Sequence, residues 1–265
     1  MKRERIRGAV LAAAGAACLA LAAPAANAAV TVGQISAETD PNNCPPATML
    51  ITTTVASGTP YTVPAGGGVI TSWQTAAGPV SGATAKLKVF RATLDANQFL
   101  VVGQSGLQTI VPGDPGGPSQ LNGPFPVRIP VQAGDFVSLR PGNSGGPCNI
   151  LTGNVTDSSR ISQGEPDTAN GLTTAFGPTP NTEQRANVSA TLEPDADADG
   201  FGDESQDNCV GSGGPQAGCP LPPVVPPQQP AGPKKKKKKK CKKGKKRTAP
   251  APHGVLADRC KKKKK

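Results

Sequence analysis

The residues best suited to chemistry lie in one acidic run, Asp195-Ala196-Asp197-Ala198-Asp199-Gly200-Phe201-Gly202-Asp203-Glu204-Ser205-Gln206-Asp207. Calcium is a hard cation that takes about six to eight oxygen ligands. A loop wraps it when carboxylates stand at positions 1, 3 and 5, a glycine at 6 and a backbone carbonyl at 7. Asp195, Asp197, Asp199, Gly200 and the carbonyl of Phe201 fill those places, and Asp203 stands at position 9, where ligands bind directly or through water. Position 12, a bidentate Glu in an EF-hand, holds Gln206, and Asp207 comes one residue late. The spacing therefore predicts a weak Ca2+ site made by Asp195, Asp197, Asp199, Phe201, Asp203 and Asp207. Six carboxylates within these 13 residues repel one another unless a cation joins them.

A second run invites a catalytic reading and fails it. Gly142-Asn143-Ser144-Gly145-Gly146-Pro147 resembles the segment around the nucleophilic serine of trypsin-like proteases. That chemistry needs a histidine base, which in those enzymes precedes the serine in the chain. The only histidine here is His253, so no catalytic serine is expected. There is also no phosphate-binding glycine loop and no His/Cys metal cluster, and the expectation is a protein that is not an enzyme. Trp73, the single tryptophan, has the chemistry to stack on a sugar ring, which keeps a carbohydrate-binding module as an alternative. A lone tryptophan in a strand is more often a core residue.

The chain begins with the marks of export. Lys2, Arg3, Arg5 and Arg7 precede an apolar run from Ala9 to Ala23, and Ala26-Asn27-Ala28 supplies a small-x-small cleavage site. That run of 15 residues is shorter than the roughly 20 needed to span a bilayer, so a signal peptide of residues 1–28 cut after Ala28 is expected. Six cysteines follow it, an even number that suits disulfides in an oxidising compartment. Their regional placement suggests Cys44–Cys148, Cys209–Cys219 and Cys241–Cys260.

The net charge of +11 is a property of one end. Residues Lys234 to Lys265 hold 18 basic side chains and one acid, whereas residues 29–194 hold 7 basic and 10 acidic. A lysine tail with almost no apolar residues cannot build a core and is expected to be disordered. Its charge suits an anionic partner: envelope polymers, a lipid surface or, without sequence preference, nucleic acid. Residues 221–233, rich in proline, read as an extended linker.

What must position the acidic loop is the region 29–194. Short runs of Val, Ile, Leu, Thr and Phe alternate with Gly/Pro/Asn/Asp clusters, which is the all-β pattern. Strands are expected at 49–55, 68–73, 85–92, 98–102, 107–111, 125–131, 136–140 and 187–192. Phe125, Val127, Ile129 and Val131 alternate with Pro126, Arg128 and Pro130, so that strand should bury one face and lie at an edge. Aromatic residues are few, which points to an aliphatic core. The expected fold is a β-sandwich, jelly-roll-like, followed by a calcium loop with its disulfide over 195–220.

The acidic loop followed by Cys209 resembles the thrombospondin type 3 repeat, Asp-x-Asp-x-Asp-Gly-x-x-Asp with a further Asp and Cys. Asp195, Asp197, Asp199, Asp203 and Cys209 match, with the last Asp and Cys about one residue late. The resemblance covers a single repeat and implies structural calcium in an extracellular protein. The whole layout is similar to a group of actinobacterial secreted proteins with a sandwich, one such repeat and a lysine-rich end, which implies an organisation and no activity.

Overall fold

A computed structural model describes residues 28–35, 42–142 and 146–223. The leader up to residue 27, Ser144, the linker beyond Pro223, His253 and the Lys234–Lys265 tail with Cys241 and Cys260 lie outside them. The described residues are all-β, with no helix, and hence no helix long and apolar enough to cross a membrane.

The strands are β1 Val30–Gln34, β2 Asn42–Cys44, β3 Met49–Thr54, β4 Gly68–Ala77 and β5 Thr84–Ala92. Next come β6 Gln98–Gln104, β7 Gln108–Thr109, β8 Gln120–Val131, β9 Phe136–Pro141 and β10 Gly146–Leu151. The last are β11 Ser158–Ser162, β12 Thr173–Ala175, β13 Asn181–Thr182, β14 Gln184–Ala186 and β15 Val188–Glu193. All pairings are antiparallel. A four-stranded sheet runs β1-β15-β4-β8, and a five-stranded one holds β12, β6 and β5 with β7 and β9 both on β5. Two small sheets, β14-β10-β2 and β13-β11-β3, complete the sandwich.

Period-two alternation sets which side chains meet. In β5, Ala85, Leu87 and Val89 enter the main core beside Val137 and Leu139 of the neighbouring β9, and Val32, Ile70, Trp73, Val188, Ala190 and Leu192 join them from the four-stranded sheet. β8 lies at the sheet edge as its prolines require, with Ile129 and Val131 buried and Phe125 and Val127 half-buried. Trp73 is buried, 4.7 Å from the Phe125 ring, and takes no part in the surface.

The aliphatic expectation holds only in part. Behind the five-stranded sheet a second cluster gathers Phe90, Phe99 and Phe176 with Met49, Ile51 and Val101, and Phe136 packs against it. Its rings meet edge to face, as their quadrupoles prefer. Few aromatics suffice because they are concentrated in one place.

Two links staple distant parts of the chain. Cys44 and Cys148 are paired, with Cα atoms 5.7 Å apart, and join β2 to β10. Arg185 on β14 grips buried Asp157 through Nε at 2.7 Å and a second guanidinium nitrogen at 2.8 Å. Its remaining nitrogen donates to Gln34 Oε1 and to the Ser57 carbonyl, so one side chain ties four segments.

Candidate metal centre

β15 ends because Pro194 has no N–H for the ladder, and the acidic loop starts at the next residue. Asp195 then organises the turn that follows. Its Oδ1 accepts the Asp199 N–H and its Oδ2 the Gly200 N–H, both at 3.0 Å. Gly200 takes φ +84°, a conformation that glycine adopts without strain. Asp199 accepts the Phe201 N–H at 3.0 Å on one oxygen and the Gly214 N–H at 3.0 Å on the other. The carboxylate of Asp203 reaches back to the Ala196 N–H at 3.2 Å.

This folding brings three of the expected ligands together. Oxygens of Asp195, Asp197 and Asp199 lie within 4.8 Å of one another, the one such metal-type group among the described residues. Asp203 and Asp207 are not in that group. Both oxygens of Asp197 are shielded from solvent and accept no hydrogen bond, although the flanking aspartates are fully engaged with amides. Burial pushes the Asp195 carboxyl up; its two amide bonds pull it down, and the charges of Asp199 and Asp197 raise it further, for a net rise. Such a site favours a bound positive charge.

The chain beyond the loop closes its open side. Cys209 and Cys219 are paired with Cα atoms 5.0 Å apart, and Gln216 and Cys219 exchange backbone hydrogen bonds. This clip delivers the Gly214 N–H to Asp199. Asp207 gives one oxygen to the Cys209 N–H at 2.6 Å, while its other oxygen is buried and unpartnered.

The loop is held against the four-stranded sheet by residues the spacing argument did not single out. Glu193, the last residue of β15, is buried and accepts four hydrogen bonds. Thr71 Oγ1 and Ser205 Oγ donate to Oε1 at 2.8 and 2.6 Å, and the Glu204 and Ser205 amides donate to Oε2 at 3.1 and 2.9 Å. Burial would raise this carboxyl, but those donors outweigh it and hold it below the usual range. Gly202 is required by close approach: a Cβ there would lie 2.5 Å from Glu193 Oε2 and 2.6 Å from Thr71 Cγ2.

Gln206 Nε2 donates to the Val127 carbonyl on β8 at 2.7 Å, which leaves its Oε1 buried and without a partner. The Arg128 guanidinium sits 4.0 Å from the centroid of the Phe201 ring. The acidic loop thus covers part of the β8 edge that its prolines leave unpaired. Position 12 is a docking residue as much as a candidate ligand.

Comparison with protein-family models, curated proteins and solved structures finds no match.

Proposed function

We propose that the protein is a secreted, non-catalytic calcium-binding protein, with Asp195, Asp197 and Asp199 as the centre of the site and the Lys234–Lys265 tail holding it on the anionic cell envelope. The observation that carries the calcium reading is the pair of buried, unpartnered oxygens on Asp197, next to two aspartates whose own oxygens are fixed by amides. A buried carboxylate with no donor costs several kcal/mol, of order 3–5, unless a cation joins it. The Phe201 carbonyl, Asp203, Asp207 and the free Oε1 of Gln206 are the reserve of further oxygens, all of the hard type that calcium prefers. The resemblance to a thrombospondin type 3 repeat is in keeping with this reading.

Export is supported by the leader, the cleavage motif at Ala28 and the two paired cysteine sets, since such bridges persist in oxidising compartments. Titration calorimetry of the chain lacking its leader tests the metal. The expected result is one saturable calcium event, with a dissociation constant of about 10⁻⁴ to 10⁻³ M. Asp197→Ala should abolish it and magnesium should compete poorly. Equal heats for magnesium, or an unchanged Asp197→Ala, would leave only an acidic surface. Fractionating cells that express the full chain and one ending at Pro233 tests the tail, and equal envelope retention of both would remove its role.

A further inference from the structure

Three of the four cations of the five-stranded sheet, Lys86, Lys88 and Arg140, lie on one covered face; the fourth, Arg91, pairs with Asp135. Lys86 and Arg140 are direct cross-strand partners on β5 and β9, and Lys88 follows two residues along, opposite Ser138. The other face of β5 is the hydrophobic core, so these side chains point away from it. Lysines on an outer face ordinarily reach water. Here Lys88 is fully buried, and Lys86 and Arg140 are only 8% and 7% exposed, because the segment between β11 and β12 lies over them.

One carboxylate answers all three charges. Asp167 accepts from Lys86 and from Lys88, the latter at 2.9 Å, and the Arg140 Nε stands off at 3.8 Å. Lys88 also donates to the Thr168 carbonyl at 2.8 Å, and Arg140 reaches the Glu165 carbonyl at 3.4 Å. The Arg140 Nε is buried and makes no hydrogen bond, and neither does the buried hydroxyl of Ser138. Like charges placed opposite one another on a sheet repel, so a surplus of cations with unused donors is costly as pure scaffold. Asp167 itself is the accessible member, its side chain 42% exposed.

We infer that Lys86, Lys88 and Arg140, with the Ser138 hydroxyl, form a binding site for a phosphate or sulfate group, which the Asp167 carboxylate occupies as a tethered stand-in until the ligand displaces it. A tetrahedral oxyanion supplies more acceptors than one carboxylate, and a guanidinium with two ammonium groups is the donor set that proteins use for it. Asp167 sits in a stretch, residues 163–170, that belongs to no strand, so its withdrawal leaves the sheet intact. The site is separate from the acidic loop and does not depend on the calcium reading.

Nuclear magnetic resonance of the full chain, with the Arg140 Nε–H and the Thr168 amide as reporters, tests this without interference from the tail. Inorganic phosphate and a glycerol phosphodiester are titrated at constant ionic strength. Both reporters should shift saturably with phosphate, Asp167→Asn should tighten binding about tenfold by removing the tethered competitor, and Arg140→Gln, which takes away the first reporter, should abolish the response of the Thr168 amide. Phosphate alone binding assigns a free or terminal phosphate; equal binding of the diester assigns a phosphate-linked polymer. Reporters that do not move in the wild-type chain overturn the proposal, as does an Asp167→Asn variant that binds no tighter, and Asp167 is then only a counter-ion. Lys86→Met repeats the Arg140 arm if Arg140→Gln does not fold.

Discussion

Glu193 is the residue whose loss should separate the acidic loop from the sandwich. Two substitutions divide its role. In Glu193→Gln the amide oxygen can take the Glu204 and Ser205 N–H groups, and the new NH₂ can donate to the Thr71 and Ser205 hydroxyls, which reverse their roles. Only the charge assistance is lost, and part of that loss is offset because a carboxylate no longer has to be buried. The net cost should be about 1 kcal/mol. Glu193→Ala removes the acceptors altogether. The hydroxyls can turn elsewhere, but two backbone donors lose their partner at about 1–3 kcal/mol each, softened where water reaches them. A total of about 2–4 kcal/mol follows. Urea denaturation at pH 7 with calcium held constant measures both, and calcium titration of the same variants should show weaker binding for Ala than for Gln. If Glu193→Ala stays within about 0.5 kcal/mol of wild type, the loop and the sandwich unfold independently and the docking argument fails. If Gln is as damaging as Ala, charge rather than geometry is the anchor.

The Arg185–Asp157 pair gives a stability effect with a defined pH dependence. Burial alone would raise the Asp157 carboxyl, but bonds from Arg185, Thr152 and the Ala56 N–H outweigh it and hold it below its usual value. A depressed folded value means that its stabilisation is complete above the unfolded value of about 3.9 and is lost as pH falls through the folded one. Asp157→Asn should cost about 3 kcal/mol at pH 7, because Arg185 stays buried, and urea melts at pH 7 and 3 should show the gap to wild type narrowing in acid. A gap that widens in acid would contradict the assignment. For the disulfides, Cys44 and Cys148 are 104 residues apart, and replacing both by Ser should lower stability by about 4–5 kcal/mol in the chain-entropy picture. The shorter Cys209–Cys219 ring should cost less; peptide mapping without reductant checks the pairings, and free thiols at 44 and 148 would overturn them.

All eight strands expected from alternation exist, and the differences lie in what alternation does not encode. β4 and β6 run on to Ala77 and Gln104, past the expected ends at 73 and 102, because their neighbours continue to offer hydrogen bonds there. The expected strand at 107–111 shrinks to Gln108–Thr109, where β5 supplies only two partners. β11, with the sequence Ser-Ser-Arg-Ile-Ser, and β14, Gln-Arg-Ala, carry almost no apolar signal and are held by distant partners. β10 starts inside the run of residues 142–147, whose glycines and proline carry no strand signal, and continues past Cys148.

The same division applies to the site. Asp195, Asp197 and Asp199 were legible because calcium loops are local in sequence, and the three do converge. Glu193 was not, since its partners Thr71 and Ser205 come from opposite sides of it in the chain and meet only in the fold. Nor does the alternation of β5 distinguish lysines that face water from lysines roofed by a segment some 80 residues later.

The position of β15 has a bearing on when the domain can form. It is the last strand, yet it lies between β1 and β4, with Val30 opposite Leu192 and Trp73 opposite Ala190. The four-stranded sheet therefore stays open until residue 193 has emerged, whereas the β2–β10 link can close earlier. Pairing ends so far apart is slow, because loop-closure entropy must be met before the contacts reward it. A chain that completes itself only at its final strand stays threadable for most of its synthesis. When β15 does insert, Glu193 arrives with it, so completion of the sheet and seating of the acidic loop become one event.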